Sequence, residues 1–164
     1  MKQKFKPLIQ PFARAELTPE QFLEKFIGSL DESKNPQDFN YLFETIPKVN
    51  FELLNYILKL RKKYPVFLLS NNFGSVFPNY EKQVDFNKYF DKLFLSHKLK
   101  MSKTQEEIWE KVLSEIEFNP NELVFIDNKE KYFEPAKKHG INTVLFLSND
   151  QIKKELAELG VKVD

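Results

Sequence analysis

The sequence predicts an α/β fold: a parallel sheet of about four strands flanked by helices, preceded by an amino-terminal helical region. Three observations predict it. The first is Pro65-Val66-Phe67-Leu68-Leu69-Ser70-Asn71-Asn72, where a short apolar run stops at a hydroxyl and two amides. A run of this kind, rich in branched and aromatic side chains, reads as a strand buried on both faces. Pro65 can open a strand but not sit inside one. The second is the alternation of strand and helix patterns from residue 65 onward, which implies βαβ units with right-handed crossovers. The third is that residues 1–63 carry helical patterns only. The chain is therefore read as a helical region, 1–63, followed by an α/β region, 64–164.

The elements follow in order. Pro7 and Pro11 argue against a central strand in residues 1–17, and a short helix opening near Pro11 is expected. Thr18-Pro19-Glu20-Gln21 is a helix start: Thr18 caps, Pro19 suits the first position, and Gln21 completes a capping box. Phe22, Leu23, Phe26 and Ile27 form its apolar face, and Gly28 weakens its end. Asn35-Pro36 starts a second helix with Phe39, Leu42 and Phe43, stopping before Pro47. Asn50 caps a third, through Phe51, Leu53, Leu54, Ile57 and Leu58 to about Lys63. Strand 66–70 leads to a loop at 71–74 and a short helix near 76–83. Lys92–Leu95 is a second strand, and 97–102 a polar loop. Ser102 with Gln105 reads as another capping box, ahead of the stripe Ile108, Trp109, Val112, Leu113 and Ile116. Trp109 is expected in the core. Leu123–Ile126 is a third strand, closed by Asp127-Asn128. A helix spans roughly 131–139, with Pro135 marking its start or a kink and Gly140 at C′. Thr143–Leu147 is a fourth strand. Ser148 or Asn149 caps a last helix that Gly160 stops.

The composition narrows the function. The chain has 164 residues, room for one domain with a real core. Charged residues are 30% and net charge is +1, which argues against a nucleic-acid binder driven by a broad basic field. There is no cysteine, so disulfides and thiolate metal sites are excluded. No apolar run approaches the ~20 residues of a membrane helix. The basic stretch Met1–Lys6 is followed by Pro7, Gln10 and Pro11 rather than by an apolar segment. A cytoplasmic chain without a signal peptide, nucleic-acid partner or membrane partner is expected.

Three polar groups fall at strand or helix mouths: Ser70-Asn71, Lys103 and Asp127-Asn128. Ligands of open α/β sheets bind at the carboxyl ends of the strands. A hydroxyl, a cation and a carboxylate together suit a phosphate and its Mg²⁺: the hydroxyl donates to a phosphoryl oxygen, the ammonium offsets its charge, and the carboxylate is a hard oxygen ligand. Taken singly, each has a plainer reading as a turn residue, a solvated charge or a cap. His97 and His139 lack metal-ligand spacing and read as surface or helix-end residues.

In this order the residues resemble the haloacid dehalogenase superfamily of phosphatases and dehalogenases. Leu68-Leu69-Ser70-Asn71 is similar to its second motif, whose Ser or Thr binds the phosphoryl group. Ser96 to Lys103 is similar to the approach to the third, with Lys103 as its lysine. Val124-Phe125-Ile126-Asp127-Asn128 is similar to the fourth, acidic motif. Residues 16–60 resemble the small helical cap of the subgroup related to epoxide-hydrolase amino-terminal domains and sugar-phosphate phosphatases. The resemblance implies a Rossmann-like core, a small phosphorylated metabolite as ligand, Ser70, Asn71 and Lys103 on the phosphate, and Asp127 with Asn128 on Mg²⁺.

The departures bear on mechanism. The family's first motif, Asp-x-Asp, supplies the nucleophile and the general acid, and this sequence has no Asp-x-Asp anywhere. Asn128 replaces a second acid, Tyr132 stands where the subgroup often has Asn, and Thr104 stands where Pro commonly follows the lysine. Glu130 reads as a solvated charge rather than a substitute ligand. Loss of a covalent nucleophile can cost on the order of 10⁶ in rate, so turnover is expected to be lost; the resemblance implies several carboxylates on Mg²⁺, of which only Asp127 is left, so its binding is expected to be weakened. The resemblance implies that the chain begins inside the cap, without the central first strand. Strands lie about 4.8 Å apart, so its absence would leave a gap of roughly 10 Å. Direct pairing of 66–70 with 123–126 is the expected outcome. The alternatives are filling of the slot by the amino-terminal segment and a strand donated by another chain, with self-association. Two functions remain: a truncated, inactive phosphatase-lineage hydrolase, and a non-catalytic phosphate-binding or interaction protein. The cap's Phe22, Phe26, Phe39 and Phe43 are most simply its own packing.

Overall fold

A computed structural model describes residues 2–29, 35–39, 43 and 48–163. In chain order its elements are α1 (Lys2–Ala13), α2 (Pro19–Gly28), α3 (Phe51–Leu60), β1 (Phe67–Ser70), α4 (Phe77–Glu81), β2 (Lys92–Leu95), α5 (Ser96–Leu99), α6 (Glu106–Ser114), β3 (Val124–Asp127), α7 (Phe133–Lys138), β4 (Asn142–Leu145) and α8 (Asn149–Glu158). Short 3-10 turns lie at Pro36–Phe39, Phe86–Lys88, Pro120–Glu122 and Glu130–Tyr132. The expected helix signals at Leu42 and Pro47 lie outside the described residues.

All four predicted strands form. They pair as two ladders, β1 with β2 and β3 with β4, so the direct pairing of 66–70 with 123–126 does not occur. Each strand instead takes the next strand along the chain, as consecutive strands commonly do. β3 and β4 are parallel, in register from Val124 opposite Asn142 to Asp127 opposite Leu145. Burial on both faces of β1 is corrected too: its four residues are all only half-buried.

The chain divides into two compact units. The first comprises the described parts of 1–49, with 68–88 and 93–102. Its core is Phe12, Phe22, Leu23, Phe26 and Ile27, with Leu8, Leu17, Phe39, Phe43 and Phe73 packed on them. α1 is longer than the sequence suggests and holds Pro7 and Pro11 inside it. Proline weakens a helix by removing a backbone donor. Here burial of Phe12, stacked on Phe22 with centroids 4.5 Å apart and packed on Phe73 at 4.6 Å, outweighs that loss, as tertiary packing does in most helices. α2 begins as its sequence says. Thr18 Oγ1 accepts the Gln21 N–H at 3.2 Å, and Gln21 Oε1 accepts the Thr18 N–H at 3.0 Å. Of the polar loop expected over 97–102, residues 97–99 belong instead to the short helix α5, ended by Lys100 in the left-handed region at φ 58°, and 100–102 are non-helical as expected.

The second unit comprises 50–67, 89–92 and 103–163. Leu60 of α3, Val144 of β4, and Ile152 and Leu156 of α8 form a buried cluster. Asn50 caps α3 by accepting the Leu53 N–H at 3.0 Å, and Ser148 caps α8 in a capping box with Gln151. Asp91 accepts the Val66 N–H at 2.8 Å and the Arg61 Nε–H at 2.9 Å. Of the expected stripe, Ile108, Trp109 and Val112 on α6 are buried, as is Ile116 just beyond it, and Leu113 is half-buried. The Ser102 capping box does not form. α6 starts at Glu106 behind Gln105, with no side-chain cap bond, because the Ser102 hydroxyl is committed elsewhere. Gly140 takes φ 80°, as a C′ glycine does. No helix among the described residues is long and apolar enough to cross a membrane.

Candidate functional site

In the first unit, β1 ends at Ser70 and the chain turns through 71–74. Ser70 and Asn71 are half-buried. Asn71 Nδ2 donates to Ser102 Oγ at 3.0 Å. Ser102 Oγ in turn donates to Gln10 Oε1 of α1 at 2.7 Å. Ser102 is fully buried, so these neutral bonds satisfy groups that water does not reach. The next carbonyl is held as well. Asn72 O accepts from Ser96 Oγ at 3.2 Å and meets His97 Nδ1 at 3.3 Å. Ser96 Oγ also reaches Ala13 O at 3.0 Å, and Lys100 Nζ reaches Ala15 O at 3.3 Å, so α5 serves both the end of α1 and the 71–74 turn.

His97, expected at the surface or a helix end, lies half-buried in the last turn of α5. Its ring packs on Phe77, and a Cβ at Gly74 would stand 3.3 Å from its Cδ2. That close approach is what glycine allows there. Desolvation by burial pushes the His97 pKa below the ordinary imidazole value, against the opposing pull of the Asn72 carbonyl. His139 sits at the carboxyl end of α7, the helix-end position expected.

In the second unit, Asp127 is the last residue of β3, and Lys103 lies before α6. Lys103 Nζ donates to Asp127 Oδ2 at 2.5 Å, with both side chains more than nine-tenths buried. Asp127 Oδ1 accepts the Lys129 N–H at 2.9 Å. The Lys103 ammonium is also 5.2 Å from the Tyr132 ring centroid and 5.5 Å from that of Phe125, within cation–π range. Trp109 Nε1–H donates to Lys103 O at 3.2 Å, and the Trp109 ring meets Phe125 edge-on at 4.7 Å. A buried charge needs a partner and further hydrogen bonds, and this surround provides them.

The structure thus brings Lys103 and Asp127 together, as the sequence reading requires, and places Asn71 on Ser102. Asn128 and Glu130 are exposed. Sequence reasoning missed Gln10, Ser96 and the wall formed by Tyr132. Gln10 sits in a proline-bearing helix with no motif around it, and no local pattern marks it.

Toward a Mg²⁺ ion the site offers the Asp127 carboxylate, whose two oxygens already accept hydrogen bonds. An octahedral site wants carboxylate and other hard oxygens free to coordinate. Both oxygens of Asp127 are engaged by Lys103 and the Lys129 N–H, and no group of three or more His, Asp or Glu able to hold a metal occurs among the described residues.

Comparison with known proteins gives a consistent result. A profile described as haloacid dehalogenase-like hydrolase matches residues 7–146. The chain is 28% identical over 146 residues to D-ribitol-5-phosphate phosphatase from Bacteroides thetaiotaomicron, covering 85% of this chain and 63% of that protein. It is 28% identical over 120 residues to bifunctional epoxide hydrolase 2 from Sus scrofa, covering 68% of this chain and 21% of that protein. The chain therefore spans less than two thirds of the length of these curated relatives. Among solved structures it is similar to the HAD family enzyme BT-2542 from Bacteroides thetaiotaomicron in complex with magnesium and inorganic phosphate. That match has TM-score 0.74 and 25% identity, and covers 91% of this chain and 80% of that one. A predicted HAD-like family hydrolase from Porphyromonas gingivalis shares the fold, with TM-score 0.77 and 23% identity over 98% of this chain and 83% of that one.

Proposed function

The chain belongs to the haloacid dehalogenase-like hydrolases, and from that premise we propose that it is of Mg²⁺-dependent phosphate-ester phosphatase lineage and that these 164 residues alone bind phosphate without turning it over. The observation that carries the reading is the buried Lys103 ammonium, held by Asp127 between the Tyr132 and Phe125 rings. A preformed cation with this support is suited to offset the charge of a phosphoryl group. Ser70 and Asn71 are proposed as neutral hydrogen-bond donors to phosphoryl oxygens. Asp127 and Asn128 stand at the metal positions that the family pattern assigns. With the oxygens of Asp127 already engaged, Mg²⁺ binding is proposed to be weakened or lost. The ligand class is a small phosphorylated metabolite, in keeping with the sugar-alcohol phosphate named for the Bacteroides relative.

Covalent phosphoryl transfer needs a nucleophile; the family pattern supplies it from Asp-x-Asp, and the absence of any Asp-x-Asp in these 164 residues favours a binding role for this chain. The second reading, an active phosphatase, is separated from the first by assay. The chain is incubated with Mg²⁺ and p-nitrophenyl phosphate or D-ribitol 5-phosphate, and inorganic phosphate binding is followed by calorimetry. Saturable phosphate binding that Lys103→Ala abolishes, with no turnover above that variant's, supports the binding reading. Turnover that Lys103→Ala abolishes supports the enzyme. No saturation with phosphate overturns the binding reading.

A further inference from the structure

We propose that His97 is a positioning residue of the 71–74 turn, held as the Nδ1–H tautomer so that its ring donates to the Asn72 carbonyl and keeps Ser70 and Asn71 in the arrangement that meets phosphate. The inference deepens the phosphate-binding reading and rests on it for the ligand only.

A carbonyl oxygen accepts and never donates. His97 Nδ1 lies 3.3 Å from Asn72 O, so that contact is a bond only when the proton is on Nδ1. Such a contact is what decides which ring nitrogen carries the proton. Burial favours the uncharged ring and lowers its pKa, so Nε2 is bare near neutral pH. Turning the ring over would set Cδ2 against the carbonyl and forgo the bond. The observed orientation sets Cδ2 against Gly74 instead, 3.3 Å from where a Cβ would stand. It also packs the ring on Phe77, with centroids 5.6 Å apart. The turn is thus held at two points, by a hydrogen bond at 72 and by close approach at 74.

Ser96 gives the same donor a second use. Its hydroxyl reaches two carbonyls, Ala13 O at 3.0 Å and Asn72 O at 3.2 Å, and the residue is fully buried. One hydroxyl proton makes one full bond at a time. With His97 Nδ1–H on Asn72 O, the Ser96 proton is released to Ala13 O, the nearer of the two, and both carbonyls are served. Without it, one proton is divided between the end of α1 and the turn. The Asn72 carbonyl lies one residue beyond Asn71 in a rigid peptide plane, so holding it limits how Asn71 can turn. A turn that samples other orientations binds with an affinity reduced to the fraction that stays competent.

The full 164-residue chain tests this. The His97 imidazole nitrogens are read above the ring's pKa in long-range 1H–15N spectra, and the His97→Asn spectrum assigns them apart from His139. Free neutral histidine carries its proton mainly on Nε2, so a ring that only fills space keeps that preference. The proton is expected on Nδ1; a proton on Nε2 overturns the proposal. This signature is read on the wild type, so it decides whether or not a variant folds. Two variants of one shape isolate the donor: His97→Asn places an N–H at the Nδ1 position, and His97→Leu places a methyl there. The Ala13 and Asn72 carbonyl 13C signals, read together, are expected to keep hydrogen-bonded values in His97→Asn and to shift toward free values in His97→Leu. The inorganic phosphate Kd is expected to stay within about twofold in His97→Asn and to rise several-fold, at most about tenfold, in His97→Leu, the worth of one neutral hydrogen bond. Equal Kd values for the wild type and His97→Leu overturn the positioning role, as does His97→Asn matching His97→Leu in both readouts. If the tautomer and the carbonyl signals come out as expected while phosphate fails to saturate the wild type, His97 keeps its hold on the turn and the phosphate reading alone falls.

Discussion

The Asn71–Ser102–Gln10 chain of the first unit, centred on a buried hydroxyl, and the Lys103–Asp127 pair of the second are both polar, yet they are held by different physics. The first is neutral. Its members are joined by ordinary hydrogen bonds between uncharged groups. The second is ionic. Its members are worth little as an attraction once desolvation is counted, but neither tolerates the loss of the other, because a lone charge would be left away from water. The lesson is that losing one partner costs the neutral cluster a hydrogen bond, whereas it leaves the charged one with an isolated ion away from water.

The largest expected effect breaks the ionic cluster. Lys103→Met leaves Asp127 buried and unpaired, and should cost about 3–5 kcal/mol in urea unfolding. Adding Asp127→Leu should recover most of that loss, since an apolar pair has no charge to strand. A double variant no more stable than the single would put the two clusters on the same footing. Next is Ser102→Ala, which removes the hydrogen bonds to Asn71 and Gln10 and should cost about 1–3 kcal/mol by the same measurement. Smaller still is Trp109→Phe. It keeps an aromatic edge toward Phe125 and removes the donor to Lys103 O, at about 1 kcal/mol.

The units should also part company in acid. His97 has a lowered pKa in the fold, so the unfolded chain binds a proton first as pH falls. Its contribution to stability is complete above about pH 6.5 and is lost as pH falls through the lowered value. His97→Phe keeps the ring against Gly74 and Phe77, and should flatten that part of the stability curve. Asp91 answers lower. Burial alone would raise its pKa, but the Val66 N–H and the Arg61 guanidinium more than offset this and hold it below the ordinary carboxylate value. Its contribution is complete above about pH 4 and is lost as pH falls through the lowered pKa. Asp91→Asn should flatten the curve there and leave the region near pH 6 unchanged.

Much of this was legible in the chain itself. Thr18 with Gln21, Asn50, and Ser148 with Gln151 announced three helix starts, because a cap is written in residues three apart. The apolar runs ending in Ser70 and Asp127 announced two strands and the side chains at their mouths. Failures came where a side chain has a distant partner. Ser102 and Gln105 match the capping-box pattern, yet Ser102 bonds Gln10, ninety-two positions away. His97 reads as solvated until its ring is seen against Phe77 and Gly74. α1 defied its prolines because Phe12 found Phe22 and Phe73. Ladder partners were misjudged for the same reason: a strand's sequence states that it will pair, not with which neighbour.

Among the described residues the ladders are two strands wide, and that width has a kinetic signature. A strand with one partner turns alternate peptide groups toward it and the rest away. In β3 and β4 the amide protons should therefore exchange with deuterium in two interleaved classes, slow and fast by turns along the strand, rather than as one uniformly protected block.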